Sequence, residues 1–140
     1  MAIICLGFFM TNCDLNKGSK SVNDEEWKLV WQDDFNYSGL PDSTKWDYDT
    51  EGNSAGWGNH EAQHYTKMDK DNAWVEDGKL KITARKEKFD GKEFTSARLM
   101  SKVAWQYGKI EVRAKLPEAR GTWAAIWMMP GGWSFNDGNW

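Results

Sequence analysis

Three carboxylates alternate along one short segment of the chain. Asp47, Asp49 and Glu51 are each two residues apart, so on an extended strand their side chains would share one face and crowd together. Crowding can separate the pKa values of carboxylates into an acid and a base, which is the arrangement that acid–base catalysis needs. A Gly-Asn-Ser sequence follows Glu51 at once, which is also typical of a hydrated strand end. Both interpretations remain open on these residues alone.

A row of polar residues follows. Four side chains would share one face of a strand: Asn59, Glu61, Gln63 and Tyr65. Their amides and carboxylate offer donors and acceptors in fixed directions, which suits a ligand rich in hydroxyl groups, although an exposed polar face is the commoner structural outcome. His60 and His64 face the other way with no further His or Cys nearby, so a zinc site is not indicated.

Two tryptophans lie four residues apart in the sequence Trp-Ala-Ala-Ile-Trp. On a strand Trp123 and Trp127 would share a face about 13 Å apart. That spacing suits a chain of sugar rings whose C–H faces pack on indoles, but a strand buried on both sides would show the same pattern.

The elements that must position these residues alternate with period two. Residues 109–116 place Ile, Val, Ala and Leu on one face and charged residues on the other, which predicts a half-buried strand. Residues 80–84 alternate in the same way after Asp77-Gly78, and residues 94–101 follow Asp90-Gly91. Further strands are predicted over 27–35, 61–66, 72–75 and 123–129. With no helix longer than one turn, the pattern favours an antiparallel sandwich or barrel.

Composition narrows the classes of protein. The 140 residues, 28% charged and 40% hydrophobic, exclude a disordered tail, a collagen-like repeat and a polytopic membrane protein, and allow one domain at most. A net charge of −3 with dispersed Lys and Arg gives no basic patch of the kind that binds the phosphates of nucleic acids. The ten Trp build either a core or platforms for a flat ligand.

The N-terminus has the pattern of an export segment. Residues 3–10 are apolar but too short to span a bilayer, and Cys13 ends the run. This indicates either a lipoprotein anchor at Cys13 or an ordinary signal segment, in a protein secreted by a bacterium or held at its outer surface. The predicted organisation is a signal or lipoprotein segment at 1–13, a polar tether at 14–26 and a domain at 27–140. Since Cys5 and Cys13 are the only cysteines, that domain has no disulfide.

Six blocks of sequence resemble glycoside hydrolase family 16, in its laminarinase-like, endo-β-1,3-glucanase branch. They are WQDDFN (31–36), WGNHEAQHYT (57–66), DGKLKITA (77–84), TSARL (95–99), YGKIEVRAKLP (107–117) and GTWAAIWMMP (121–130). The resemblance implies an all-β, antiparallel jelly-roll sandwich of the concanavalin A type, incomplete in this chain. It also implies hydrolysis of β-glucan with retention, the alternative being a sandwich that binds β-glucan without cleaving it.

The resemblance assigns roles to individual residues. The substrate contacts that it implies are Asn59, Glu61, Arg98, Trp123, Trp127 and Trp133. No cofactor is required, although a structural calcium could take ligands from Asp34 and the carbonyl of Gly78. The expected partner is a polysaccharide, and the full-length protein is expected to be a monomer.

The catalytic residues implied by the resemblance are not in this sequence. The family motif is Glu-x-Asp-x-Glu, or Glu-x-Asp-x-x-Glu, and it is expected just beyond Trp140. Its first Glu is the nucleophile and its last the acid/base, as retention requires. Asp47, Asp49 and Glu51 mimic the motif but lie too early. The chain is therefore expected to be the N-terminal part of an enzyme and to be inactive alone.

Overall fold

The computed structural model describes residues 27–137. The signal or lipoprotein segment predicted at 1–13, the tether at 14–26 and Trp140 lie outside these residues, so they stay predictions, as does the domain boundary at 27. The chain divides into two units, Met1–Gln32 and Asp33–Trp140. Within the described residues, every strand belongs to the second unit, and no helix is long and apolar enough to cross a membrane.

Seven strands form the framework of the described part. They are β1 (Trp46–Tyr48), β2 (Gln63–Tyr65), β3 (Ala73–Glu76), β4 (Lys79–Ile82), β5 (Arg85–Phe89), β6 (Lys92–Ser96) and β7 (Leu99–Ser101). Strand β1 pairs with β7, β3 pairs with β4, and β2, β6 and β5 form a three-stranded sheet in that order. All pairs are antiparallel except β2 and β6, which run parallel. The predicted all-β class is confirmed.

Two Asp-Gly pairs make the hairpin turns that the sequence predicted. Asp77 and Gly78 join β3 to β4 with φ values of 53° and 67°, and Asp90 and Gly91 join β5 to β6 with 46° and 76°. Positive φ at both central residues defines a type I′ turn, whose twist matches that of the strands it joins. These turns fix the register in which Glu76 faces Lys79 and Phe89 faces Lys92.

Three predicted strands are wrong in the described part. Residues 27–35, 109–116 and 123–129 form no ladder there, and 109–116 is exposed throughout. Alternation identifies the two faces of a strand but not its partner, and an extended segment becomes a strand only when a neighbour supplies hydrogen bonds. Conversely, alternation does not predict β5, because Arg-Lys-Glu-Lys-Phe has too few apolar residues to show the pattern.

The centre of the second unit is small and partly polar. Ala73, Val75 and Asn72 are fully buried, and Asn72 joins three segments. Its Nδ2 donates to the Thr83 carbonyl at 3.0 Å and to Thr95 Oγ1 at 3.1 Å, while its Oδ1 accepts from Thr66 Oγ1 at 2.7 Å. The amide thereby ties the end of β2, strand β6 and the end of β4 together.

Replacing Asn72 with alanine is expected to lower the free energy of unfolding by about 2 kcal/mol, because buried partners lose their hydrogen bonds. Urea denaturation followed by tryptophan fluorescence measures the change. Asn36→Ala is the matched control, since Asn36 is exposed. Equal effects of the two substitutions would show that the buried amide contributes nothing special.

Candidate functional site

The site is built around Arg98, which lies between β6 and β7. Strand β7 pairs with β1, with Leu99 opposite Tyr48, and the next residues continue the pairing: the Asp49 N–H donates to the Arg98 carbonyl at 2.9 Å. The side chains then meet as well, with Arg98 Nε 3.0 Å from Asp49 Oδ2. Asp49 is only 4% exposed at its side chain and Arg98 17%. This ion pair is therefore largely withdrawn from water.

Three indole rings surround the Arg98 guanidinium. Its Cζ lies 3.9 Å from the centroid of Trp57, 4.9 Å from that of Trp127 and 5.7 Å from that of Trp133. All three distances are within the range of cation–π attraction. We call Arg98 and these three tryptophans the Arg98 cluster. It unites three residues singled out from the sequence, Arg98, Trp127 and Trp133.

Trp57 is the member of the cluster that sequence reasoning missed. It lies in a short 3-10 turn, Gly56–Gly58, with φ of 54°, and is buried. Its ring packs edge-on against Tyr65 at 5.5 Å and Phe135 at 5.2 Å, and its Nε1 donates to Asn53 Oδ1 at 3.4 Å. The signal was present in the block 57–66, but nothing in that block indicates that the ring lies over Arg98.

The predicted polar row is assembled around the Glu61 carboxylate. That carboxylate accepts hydrogen bonds from Asn59 Nδ2 at 3.1 Å, Gln63 Nε2 at 2.5 Å and the Tyr65 hydroxyl at 3.0 Å. Lys92 Nζ also donates to the Glu61 carbonyl at 2.8 Å. Because Tyr65 contacts both Glu61 and Trp57, the polar row and the Arg98 cluster are adjacent.

Tyr65 has an unusual ionisation. Burial, and then the negative charge of Glu61 and the hydrogen bond to it, raise the pKa of the Tyr65 hydroxyl from 10.0 to about 12. The folded chain thus holds this proton more tightly than the unfolded chain does. The resulting stabilisation is present below pH 10 and is lost as the pH rises from 10 to about 12.

Glu61→Gln is expected to lower the pKa of Tyr65 while leaving it above the ordinary value, because burial is the largest cause of the shift. The phenolate absorbance of each protein is titrated, and the titration of its Tyr65→Phe counterpart is subtracted to isolate Tyr65. Glu76→Gln serves as the control, since Glu76 pairs with Lys81 and not with Tyr65. An unchanged Tyr65 titration in Glu61→Gln would contradict the assignment.

Trp123 belongs neither to the Arg98 cluster nor to the polar row. Trp123 is 84% exposed, and within residues 27–137 its ring makes no contact with another ring. Its role as a substrate contact therefore stays a prediction.

The calcium prediction is likewise untested. Asp34 and Gly78 are exposed, and the described residues hold no group of three acidic, His or Cys side chains placed for a metal. A carboxylate and one carbonyl fall short of the six to eight oxygens that calcium takes. Asp34 and Gly78 alone therefore do not make a calcium site.

The three alternating carboxylates do not form a shared acidic set. Asp47 lies 3.7 Å from Lys67 at the surface, and Asp49 pairs with Arg98. Glu51 Oε2 accepts hydrogen bonds from Ser134 Oγ at 2.7 Å and from the Phe135 N–H at 3.1 Å. Each carboxylate therefore has a different partner.

These features define a class of protein. It is an all-β domain in which a cluster of tryptophans around an arginine, the Arg98 cluster, lies next to a row of hydrogen-bonded polar side chains around Glu61. The model of the glycosyl hydrolases family 16 matches residues 60–138, more than half of the chain. The β-glucanase of Rhodothermus marinus is 47% identical over 133 residues, which cover 94% of this chain and 46% of that protein. The chain belongs to glycosyl hydrolase family 16.

Solved structures agree with this assignment. The laminarinase from Rhodothermus marinus aligns with a TM-score of 0.55 and 54% identity, over 59% of this chain and 33% of that one. SCLam, a non-specific endo-β-1,3(4)-glucanase of the same family co-crystallised with 1,3-β-D-cellotriosyl-glucose, aligns with a TM-score of 0.57 and 42% identity, over 60% and 36%. The predicted family and fold class are confirmed, and the chain spans about half the length of the Rhodothermus β-glucanase.

Proposed function

We propose that this chain supplies the glucan-binding part of a retaining endo-β-1,3-glucanase. The observation that carries the proposal is the Arg98 cluster, where Trp127, 51% exposed, lies beside a guanidinium and near the Glu61 row. The β-glucanase and laminarinase names of its relatives support β-1,3-glucan as the substrate. The export pattern at 1–13 supports a secreted or surface location.

Each part of the site would contribute a different contact to a glucan. The exposed face of Trp127 offers a flat apolar surface on which the C–H face of a glucose ring can stack. Within the described residues, the two Nη groups of Arg98 donate no hydrogen bond, so they can donate to sugar hydroxyls. Asn59 and Gln63 present amides that Glu61 orients. Stacking would fix the plane of the ring, and the polar groups would fix its rotation in that plane.

Bond cleavage would need carboxylates that these 140 residues do not show in the family pattern. Retaining glycosidases place a nucleophile and an acid/base about 5–5.5 Å apart, and the sequence contains no Glu-x-Asp-x-Glu. The residues described here would bind and orient the glucan, and hydrolysis is proposed for the longer protein. We expect the chain to bind laminaritetraose without releasing reducing ends.

The proposal is tested by replacing Trp127 with alanine in the 140-residue chain. Isothermal titration calorimetry with laminaritetraose is expected to show about a tenfold loss of affinity, because the substitution removes the apolar face on which a glucose ring stacks, and a loss of about 1.4 kcal/mol in binding free energy is tenfold. Trp27→Ala is the matched control, since Trp27 is also exposed, at 71%, and belongs to the other unit. If Trp127→Ala and Trp27→Ala bind equally well, the proposed site is wrong.

The alternative of a binding protein without activity is decided by the complete reading frame. Expression of the longer product and assay of reducing ends from laminarin distinguish the two functions. Release of reducing ends supports the glucanase, and retention of laminarin without release supports the binding protein. Absence of both would contradict the proposed function.

A further inference from the structure

The carboxylates of Asp49 and Glu51 are not explained by catalysis or by direct contact with a substrate. Asp49 is buried beneath the Arg98 cluster and holds Arg98 at two points, its Nε through the carboxylate and its carbonyl through the Asp49 N–H. Since Nε is part of the planar guanidinium, fixing it also fixes the plane of the whole group. The plane of Arg98 over Trp57 is therefore set by Asp49.

Glu51 acts on a different part of the same cluster. Its Oε2 receives hydrogen bonds from Ser134 Oγ and the Phe135 N–H. These contacts tie down residues 133–136, which we call the rim loop. Phe135 in this loop packs against Trp57, with ring centroids 5.2 Å apart, and against Trp133 at 6.4 Å. Trp133 in turn lies 5.7 Å from the Arg98 Cζ.

We propose that Asp49 and Glu51 are positioning residues of the glucan site, Asp49 orienting Arg98 and Glu51 holding the rim loop that carries Trp133. The inference rests on the proposed function for its effect on binding, but not for its geometry. Two carboxylates two residues apart along the chain thereby connect Arg98, at the junction of β6 and β7, with a loop that lies more than 80 residues beyond Glu51 in the sequence.

The neighbouring carboxylate shows that position in the sequence does not decide the role. Asp47 has the same spacing from Asp49, yet its side chain is 47% exposed and lies 3.7 Å from Lys67, also at the surface. Asp47→Asn is therefore a matched control, since it removes one charge from the same segment without touching the Arg98 cluster.

The first experiment needs no ligand. In proton–nitrogen NMR spectra of the 140-residue chain, the Arg98 Nε–H is expected to exchange slowly with water in the wild type and in Asp47→Asn. In Asp49→Asn its exchange is expected to accelerate about tenfold, because the hydrogen bond from Nε then ends on a neutral amide oxygen and is weaker than one to a carboxylate. For Glu51→Ala the corresponding signal is the backbone amide of Phe135. Unchanged exchange in Asp49→Asn or Glu51→Ala would overturn that residue's role.

The second experiment measures laminaritetraose affinity in a double-mutant cycle. Asp49→Asn is expected to lose about tenfold in affinity, Asp49→Glu to recover part of it, and Asp49→Asn to lose nothing further when Arg98 is already alanine. Glu51→Ala is expected to be non-additive with Trp133→Ala in the same way. Additive losses would overturn positioning and indicate a general loss of structure.

The two experiments separate failure of this inference from failure of the proposed function. A wild-type chain that shows the slow Arg98 and Phe135 signals but binds no laminaritetraose would contradict the function and support the positioning geometry. A wild-type chain that binds laminaritetraose while Asp49→Asn and Glu51→Ala bind equally well would overturn the inference and leave the function standing.

Discussion

Arg98→Ala is expected to destabilise the second unit by about 3 kcal/mol, because removing one partner of a buried ion pair leaves the other charged and unpaired. Asp49 is the partner that would be stranded, with 4% of its side chain exposed. The substitution also removes the cation shared by three indole rings, each contact contributing about 0.5–2 kcal/mol. Affinity for laminaritetraose is expected to fall by at least the tenfold predicted for Trp127→Ala.

Urea denaturation and calorimetry measure the two effects separately. Arg85→Ala is the control, because Arg85 lies on strand β5 and pairs with Asp71 and Glu87 while 39% exposed. Exposed ion pairs contribute about 0–1 kcal/mol, so this variant is expected to stay close to the wild type in both measurements. Arg98→Lys keeps the positive charge but loses the planar guanidinium. Its stability and its affinity for laminaritetraose are expected to lie between those of the wild type and the alanine variant. If Arg98→Ala lowers the free energy of unfolding as little as Arg85→Ala does, the Arg98–Asp49 ion pair contributes no more to stability than an exposed one.

Gly52→Ala is expected to lower the free energy of unfolding about as much as Arg98→Ala does, although it adds only one methyl group. A Cβ at this position would lie 2.5 Å from two atoms of the Trp57 ring, Cδ2 and Cε3, closer than carbon atoms can approach. The ring cannot easily give way, because Tyr65 and Phe135 pack against its edges. Overpacking of this kind costs about 1–3 kcal/mol or more, and it would move Trp57 away from Arg98.

The controls for Gly52→Ala isolate the clash. Gly131→Ala brings a Cβ to 3.1 Å of the Ala104 Cβ in exposed surroundings, where a small shift relieves the contact, so little change is expected. In a Trp57→Ala background the penalty of Gly52→Ala is expected to disappear, since the ring that it meets is gone. Thermal unfolding of the four proteins in this cycle provides the measurement. A penalty that persists without the ring would contradict the explanation.

Local sequence predicted the features that depend on local chemistry. The Asp77-Gly78 and Asp90-Gly91 turns formed as expected, because positive φ at both positions favours these residue types. The polar row from Asn59 to Tyr65 also came together. Alternation accounts only for Gln63 and Tyr65, which lie on strand β2, whereas Asn59 and Glu61 precede the strand and join the row through their hydrogen bonds. The family was identifiable because its blocks lie within continuous stretches of sequence.

The arrangement around Arg98 could not be predicted in this way. Its members come from the segment just after β1, the 57–66 block, the β6–β7 connection, the 121–130 block and the rim loop. No spacing rule relates such distant segments. The strands predicted at 109–116 and 123–129 failed for the same reason, because a ladder needs a partner that periodicity does not name.

The sequence by itself determined the all-β class, the family and the residue types available for binding a glucan, because these follow from alternation, turn chemistry and contiguous motifs. Only the tertiary structure decided what Asp49, Glu51 and Trp57 do. A carboxylate acquires its role from the group it meets, and pairing of β1 with β7 brings Asp49 to Arg98 rather than to another acid. Of the three carboxylates that most resembled a catalytic set in the sequence, Asp49 and Glu51 instead contact Arg98 and the rim loop, while Asp47 lies at the surface beside Lys67.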